Sequence, residues 1–173
     1  MMVLDPPRVL VCGSRHWRWP RTVTAVLERL HQRYGERLVI IEGRARGADA
    51  VAHAWCKRRG LSNDRHRCFP VDRDKQRRIR PDWRAAGPER NQMMLTQQPR
   101  LVAAFHDAFD PARGGTSDMV LRALLAGVPA WLTPGADPDI GHWLSVEDFP
   151  LWRIRQLRST VPPQALHLGQ RTS

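Results

Sequence analysis

The sequence predicts an α/β domain of three layers, in which a mainly parallel sheet of five or slightly more strands lies between helices. Short apolar runs typical of buried strands alternate with segments whose apolar residues recur at helical spacing. Three of the runs lead into a turn that contains glycine and precedes a helix. Because strands that alternate with helices usually pair in parallel, this order favours one doubly wound sheet.

The first strand is expected at residues 8–12, and Gly13, Ser14 and Arg15 follow it directly. A helix is expected from Pro20, which suits a first helical turn, to a stop at Gly35. The turn at the end of a first parallel strand is where doubly wound sheets bind ligands, although an ordinary tight turn has the same composition. The aromatic residues in 16–19 either stack on a base or pack beneath their loop.

The second unit has the same layout, with a strand at 38–41 and a helix over 48–59. The turn between them contains Gly43, Arg46, Gly47 and Asp49, which we expect to line a ligand. Asp49 either complements the helix dipole or accepts a hydrogen bond from a ribose or base. His53 is expected to be a helix-surface or core residue.

A weaker third strand is expected at 65–69. Residues 72–84 are rich in arginine and contain Pro81, so we expect a mobile surface loop, either a lid over the strand ends or a solvated charged segment. A helix at 85–97 follows, with Met93 and Met94 facing inward. Arg90 and Asn91 lie in its first turns, where they can point into the cleft above the sheet and bind phosphate.

A fourth strand at 101–105 leads into Gly114, Gly115, Thr116 and Ser117, and a helix follows to residue 126. Glycines let the backbone approach a phosphate, and the free N–H groups of a first helical turn attract negative charge. Alternatively, this is a plain strand-to-helix connection with a Ser/Thr N-cap. Together with the turn at residues 43–49, this is the second glycine-flanked turn that leads a buried strand directly into a helix, and the pair favours the phosphate site.

A fifth strand is expected at 128–132, and residues 142–157 are expected to add a strand and a short helix. We therefore expect one main domain at 1–140 and an extension at 141–173 that packs on it. The tail from Thr160 is expected to be partly disordered.

Composition limits the class of protein. The 173 residues carry a net charge of +11, and all basic residues except Lys57 and Lys75 are arginine. This charge suggests an anionic partner, either nucleic acid or nucleotide phosphate, although the preference for arginine over lysine is equally explained by a GC-rich genome. No apolar run approaches the roughly 20 residues of a membrane helix, and no signal peptide is expected. The three cysteines lack metal-ligand spacing and read as buried thiols, so we expect a cytoplasmic protein without a metal or cofactor.

Four stretches in this order resemble the SLOG superfamily, and most closely its YspA-type (YpsA-related) branch, which is found in bacteria and their phages. They are residues 8–15, 43–49, 86–91 and 115–119. The resemblance covers about residues 8–133 and implies a Rossmann-like nucleotide-binding fold. Members of the superfamily include cytokinin-activating phosphoribohydrolases and DNA-processing proteins. The resemblance also implies that the protein forms a homodimer.

In those phosphoribohydrolases an arginine and a glutamate carry catalysis. Arg90 resembles the arginine, but the glutamate position falls on Met119. Asp118 is the nearest carboxylate, about 100° around the helix. The Pro-Gly-Gly motif of the relatives is also altered in this chain, where it reads Pro111-Ala112-Arg113. The thioether of Met119 cannot activate water or stabilise an oxocarbenium-like state. We therefore expect this chain to retain the phosphate-binding turn of the relatives but to lack their catalytic carboxylate.

The leading hypothesis is therefore a protein that senses, sequesters or carries a nucleotide or a phosphorylated ligand derived from one. A nucleotide N-glycosidase that uses Arg90 and Asp118 is the first alternative. A DNA- or RNA-binding protein, suggested by the net charge, is the second.

Overall fold

The structure, a computed structural model, describes residues 6–160. The tail from Thr160 that we expected to be partly disordered lies outside that range, apart from Thr160 itself. Six strands lie within these described residues: β1 Arg8–Gly13, β2 Val39–Glu42, β3 His66–Cys68, β4 Leu101–Phe105, β5 Ala130–Thr133 and β6 His142–Leu144. The α-helices are α1 Pro20–Tyr34, α2 Ala48–Arg58, α3 Arg73–Ile79, α4 Ala86–Leu95, α5 Gly115–Leu125 and α6 Leu151–Arg158. Short 3-10 helices cover Gly35–Arg37, Trp83–Ala85 and Val146–Asp148.

The strands form one sheet in the order β3-β2-β1-β4-β5-β6, parallel except for β6, which runs antiparallel to β5. The chain builds the β1–β3 half first and then crosses to the other side of β1 to add β4. The strand order therefore reverses between β1 and β4, and a crevice opens outside their carboxyl ends. The predicted Rossmann-like α/β fold is confirmed, with six strands.

The side chains of the central strands point alternately into two hydrophobic cores, one on each face of the sheet. Leu10 and Cys12 belong to the core beneath α4, α5 and α6, whereas Val9 and Val11 belong to the core beneath α1 and α2. Successive side chains of a strand point to opposite faces, so a continuous apolar run such as β1 is buried on both. Helices on both faces of the sheet give the three layers.

The chain after β5 completes the sheet. Strand β6 pairs with β5, and Ile154 and Leu157 of α6 are buried in the same core as Leu10. None of the helices within residues 6–160 combines the length and the apolar character that crossing a bilayer requires.

Three local expectations were wrong. The segment expected to be a loop at 72–84 forms α3, because Asp72 caps its N-terminus by accepting a hydrogen bond from the Lys75 N–H, and Pro81 comes only after the helix ends. Met93 is 54% exposed, and only Met94 of that pair is buried. Cys68 is exposed as well, because it ends the short strand at the sheet's edge, whereas Cys12 and Cys56 are buried.

Candidate functional site

A cleft of about 570 Å³ lies outside the carboxyl ends of β1 and β4. Of the residues predicted to bind a ligand, eight line it: Gly13, Ser14, Arg15, Asp49, Arg90, Asn91, Gly115 and Thr116. A neighbouring recess of about 240 Å³ is lined by two more, Gly43 and Arg46, and shares Arg15 and Arg90 with the cleft. The fold thus brings the four motif stretches together at the point where the strand order reverses.

The turn after β1 is fixed by close backbone packing. The Ser14 N–H donates to the Phe105 carbonyl at 2.8 Å, and a Cβ at Gly13 would come within 2.3 Å of that same oxygen. Gly47 has φ +80°, and a Cβ there would lie 1.9 Å from the Ser14 carbonyl oxygen. Gly47 is not among the residues that line the cleft or the recess, but its lack of a side chain allows α2 to begin directly against the β1 turn.

Helix α5 begins at the cleft. Gly114 precedes it with φ +96°, and Gly115 and Thr116 of its first turn line the cavity. The Ser117 hydroxyl donates to the Pro111 carbonyl at 2.9 Å, and Ser117 is buried and not among the cleft-lining residues. The first-turn N–H groups of an 11-residue helix carry a partial positive charge, which suits an anion.

Arg90 is held in place by backbone carbonyls. Its Nη1 donates to Gly43 at 2.6 Å and to Phe69 at 3.4 Å, and its Nε donates to the Asn91 side chain at 3.2 Å. Within residues 6–160 its Nη2 makes no hydrogen bond and its guanidinium no ion pair. One edge of a positioned guanidinium thus faces no protein acceptor, as phosphate binding requires.

Asn91 joins helices α4 and α5. It is 3% exposed, and its Nδ2 donates to the Gly115 carbonyl at 3.2 Å and to Asp118 Oδ2 at 2.8 Å. The same Asp118 oxygen accepts a hydrogen bond from Arg122 Nε at 2.8 Å. Asp118 therefore serves a buried ion pair and is not among the cleft-lining residues, whereas Met119 is.

Asp49 is the buried carboxylate that lines the cleft. It is 3% exposed, and its Oδ2 accepts a hydrogen bond from the Gly43 N–H at 3.0 Å. Burial raises its pKa to about 6, opposed in part by the positive charge of Arg90 and supported by the negative charge of Glu42. Asp49 is thus a carboxyl group whose protonation changes just below neutral pH, beside a fixed arginine.

Arginines surround the cleft and the recess. Arg15, Arg73 and Arg90 line both, and Arg44 and Arg46 line the recess. In the part of the chain that the structure describes, none of the five forms an ion pair with a carboxylate. Their charge is therefore available to an anionic ligand.

The sequence did not identify several cleft residues. Arg73 reaches the cleft because α3, at the position of the expected loop, begins beside it. His106 and Asp107 line it because they follow β4. Burial lowers the pKa of His106, whose Nδ1 accepts a hydrogen bond from the Ala108 N–H at 3.1 Å. The signal that could have identified His106 and Asp107 is a pair of polar residues directly after a predicted parallel strand.

The aromatic loop after β1 packs more than it lines the site. Trp17 is 7% exposed and contacts Phe105 with ring centroids 5.7 Å apart. Its indole N–H donates to the Trp19 carbonyl at 2.8 Å. In this loop only His16 lines the cleft. The packing alternative therefore describes both tryptophans better than base stacking does.

Comparison with known proteins gave two matches. The sequence model of the "YspA, cpYpsA-related SLOG family" matches residues 7–69, which span β1 to β3. A protein described as "Gene 61 protein" of Mycobacterium phage D29 is 33% identical over 125 residues, which cover 70% of this chain and 92% of that protein. No solved structure matches the chain significantly.

Proposed function

The chain belongs to the YspA, cpYpsA-related SLOG family, and from that premise we propose that it binds a nucleotide, or a phosphorylated ligand derived from one, in the cleft between β1 and β4. Family membership indicates nucleotide-related binding or processing. The observation that carries the proposal is that arginines without an ion pair among residues 6–160 line both the cleft, which includes the start of α5, and the adjoining recess. A cytoplasmic sensor, sequestering protein or carrier is the role we propose for such binding.

The cleft contains groups suited to a phosphate and groups suited to a ribose or a base. The first-turn N–H groups of α5, the Thr116 hydroxyl and the free edge of Arg90 would hold the phosphate. Asp49 and Ser14, which also line the cleft, would accept or donate hydrogen bonds to ribose hydroxyls or a base. A cavity of this size falls within the range that small-molecule ligands occupy.

Thr116→Glu tests the proposal by placing bulk and negative charge at the start of α5. Titration calorimetry with adenosine monophosphate, ADP-ribose and NAD should show binding of at least one of them to the wild type and none to the variant. Thr116→Val, which keeps the shape but lacks the hydroxyl, should weaken binding without abolishing it. Thr96→Glu changes an exposed threonine outside the cleft and is the matched control. Equal affinity of Thr116→Glu and wild type would contradict the site.

Hydrolysis of a nucleotide N-glycosidic bond is the second candidate, and the Asp49–Arg90 neighbourhood favours it. A carboxylate at the cleft could activate water or stabilise the developing positive charge on the ribose. Asp118, the carboxylate that the family resemblance implied, is bonded to Asn91 and Arg122. Release of ribose 5-phosphate that is lost in Asp49→Asn and kept in Asp118→Asn would establish this activity with Asp49 as its carboxylate.

Nucleic-acid binding is the third candidate function, and the net charge of +11 favours it. Arg77 and Arg84 stack on Trp83 at 4.4 and 4.5 Å, an arrangement that also suits exposed bases. Such binding would weaken steeply with added salt, because phosphate contacts release counterions. Binding of one nucleotide would depend much less on salt.

A homodimer, expected from the resemblance, is testable by light scattering after gel filtration.

A further inference from the structure

Four side chains that suit a metal ion meet at the end of β2, beside the cleft but not lining it. They are Glu42, His53, His66 and Cys68. One potential ligand atom from each lies within 4.8 Å of all the others. His53 Nδ1 lies 2.8 Å and His66 Nε2 lies 2.9 Å from the same oxygen, Oε1 of Glu42. The two imidazole rings are 4.8 Å apart, centroid to centroid.

The sheet and one helix bring these residues together from distant parts of the chain. Glu42 ends β2 and is the register partner of Cys68, which ends β3. His66 lies two residues before Cys68 and therefore on the same face of β3. His53 comes from α2, which covers that face. The sequence has no short metal-ligand motif, and we expected no metal from it, because the cluster exists only in the folded chain.

The spacing is close to that of a tetrahedral zinc site. Zn–N and Zn–S bonds of about 2.0 and 2.3 Å place neighbouring ligand atoms about 3.3 to 3.6 Å apart. The two histidine nitrogens would move outward from Glu42 by about half an ångström, and no two of the four ligand atoms lie more than 4.8 Å apart. These are side-chain adjustments that leave β2, α2 and β3 in place.

Charge and burial also suit a divalent cation. The Glu42 side chain is fully buried, and its contacts within residues 6–160 are two histidines and the Arg44 N–H, with no lysine or arginine ion pair. A carboxylate and a thiolate together would balance a charge of +2. Cys68, the exposed member, gives an ion a path from solvent. Thiolate with imidazole favours zinc and cobalt over magnesium or calcium.

We propose that Glu42, His53, His66 and Cys68 bind one Zn²⁺ ion as a four-coordinate structural site. Four protein ligands leave no position for a substrate, so the ion would be structural. It would fix the end of β2, where Gly43 follows Glu42 and supplies the carbonyl that holds Arg90. The proposal uses none of the residues assigned to phosphate, so it does not depend on the proposed function.

Cobalt is the probe for the test, because Co²⁺ occupies zinc sites and absorbs visible light. Chelator-treated full-length protein is titrated with Co²⁺. We expect one equivalent to produce the visible bands of a tetrahedral complex and a near-ultraviolet thiolate-to-cobalt band, both removed by Zn²⁺. Zn²⁺ at 100 times its Kd should raise the Tm by about 5 to 10 °C.

The variants separate this cluster from other ligands. Cys68→Ser changes an exposed side chain and should lose the thiolate band and at least about tenfold in affinity. His142→Ala removes an exposed histidine outside the cluster and should leave the spectrum unchanged. Absence of a thiolate band in the wild type, or an unchanged band in Cys68→Ser, would overturn the proposal.

Discussion

Replacing Asp49 by Asn should change how the stability of the protein depends on pH. The side chain is almost fully buried at the start of α2, with the Gly43 N–H as a hydrogen-bond donor. Burial raises its pKa from 3.8 to about 6. Asn keeps the shape and an oxygen acceptor for that N–H but cannot ionise.

The sign and size follow from proton linkage. Between pH 4 and 6 the folded protein keeps the Asp49 proton that the unfolded chain has lost, so wild-type stability falls as pH rises through this interval. The contribution is favourable at low pH, decreases up to the folded pKa and is constant above it. A shift from 3.8 to about 6 corresponds to about 2 to 3 kcal/mol between pH 4 and pH 7. The free energy of unfolding of Asp49→Asn minus that of wild type should increase by this amount.

Urea unfolding of both proteins at pH 4, 5, 6 and 7 measures the difference. Any constant cost of the amide cancels, because only the change with pH is used. Asp64→Asn, which removes an exposed carboxylate, is the matched control, and the pH dependence measured for Asp49→Asn should exceed the one measured for Asp64→Asn. A difference between Asp49→Asn and wild type that does not vary with pH, or that decreases as pH rises, would refute the assignment of Asp49 as a buried, raised-pKa carboxyl group.

Three further substitutions test the site's construction. Gly47→Ala forces a Cβ against the Ser14 carbonyl at positive φ and should lower the free energy of unfolding by about 1 to 3 kcal/mol; an unchanged Tm would contradict the close packing. Arg122→Met leaves Asp118 without its charge partner and should cost about 3 kcal/mol in urea unfolding, whereas a loss below 1 kcal/mol would mean that the pair is not buried as described. Arg90→Lys loses the planar guanidinium and should reduce nucleotide affinity at least about tenfold by calorimetry, so equal affinity would exclude a phosphate contact there.

Much of the fold could be predicted because its signals are local. The apolar run of β1 and the helical spacing of α1 each indicate their element from neighbouring residues alone. The segment 73–79 was missed because charge suggested a loop, while the capping residue Asp72 indicated a helix start. The exposure of Cys68 depends on β3 lying at the sheet's edge, which short-range patterns do not encode.

The site residues, like the elements of the fold, could be predicted where the signal is local and not where it depends on distant residues. Glycine turns that follow strands pointed to Gly13, Gly43 and Gly115, because parallel strands bring their carboxyl ends to one edge. The pairing of Asp118 with Arg122 and Asn91 was not foreseen, although an aspartate and an arginine four residues apart on a helix are a standard ion-pair spacing. Clusters formed by residues far apart in the chain, such as the proposed metal ligands, have no comparable local signal.

The most direct test of nucleotide binding is mass spectrometry of the protein itself. Small molecules released from purified, denatured protein are identified, and native spectra are recorded with nucleoside monophosphates, NAD and ADP-ribose. The account predicts that at least one nucleotide is retained intact, one per chain, and that Thr116→Glu retains none. Retention of no nucleotide by the wild type, or conversion of the retained one to free base and ribose phosphate, would contradict it.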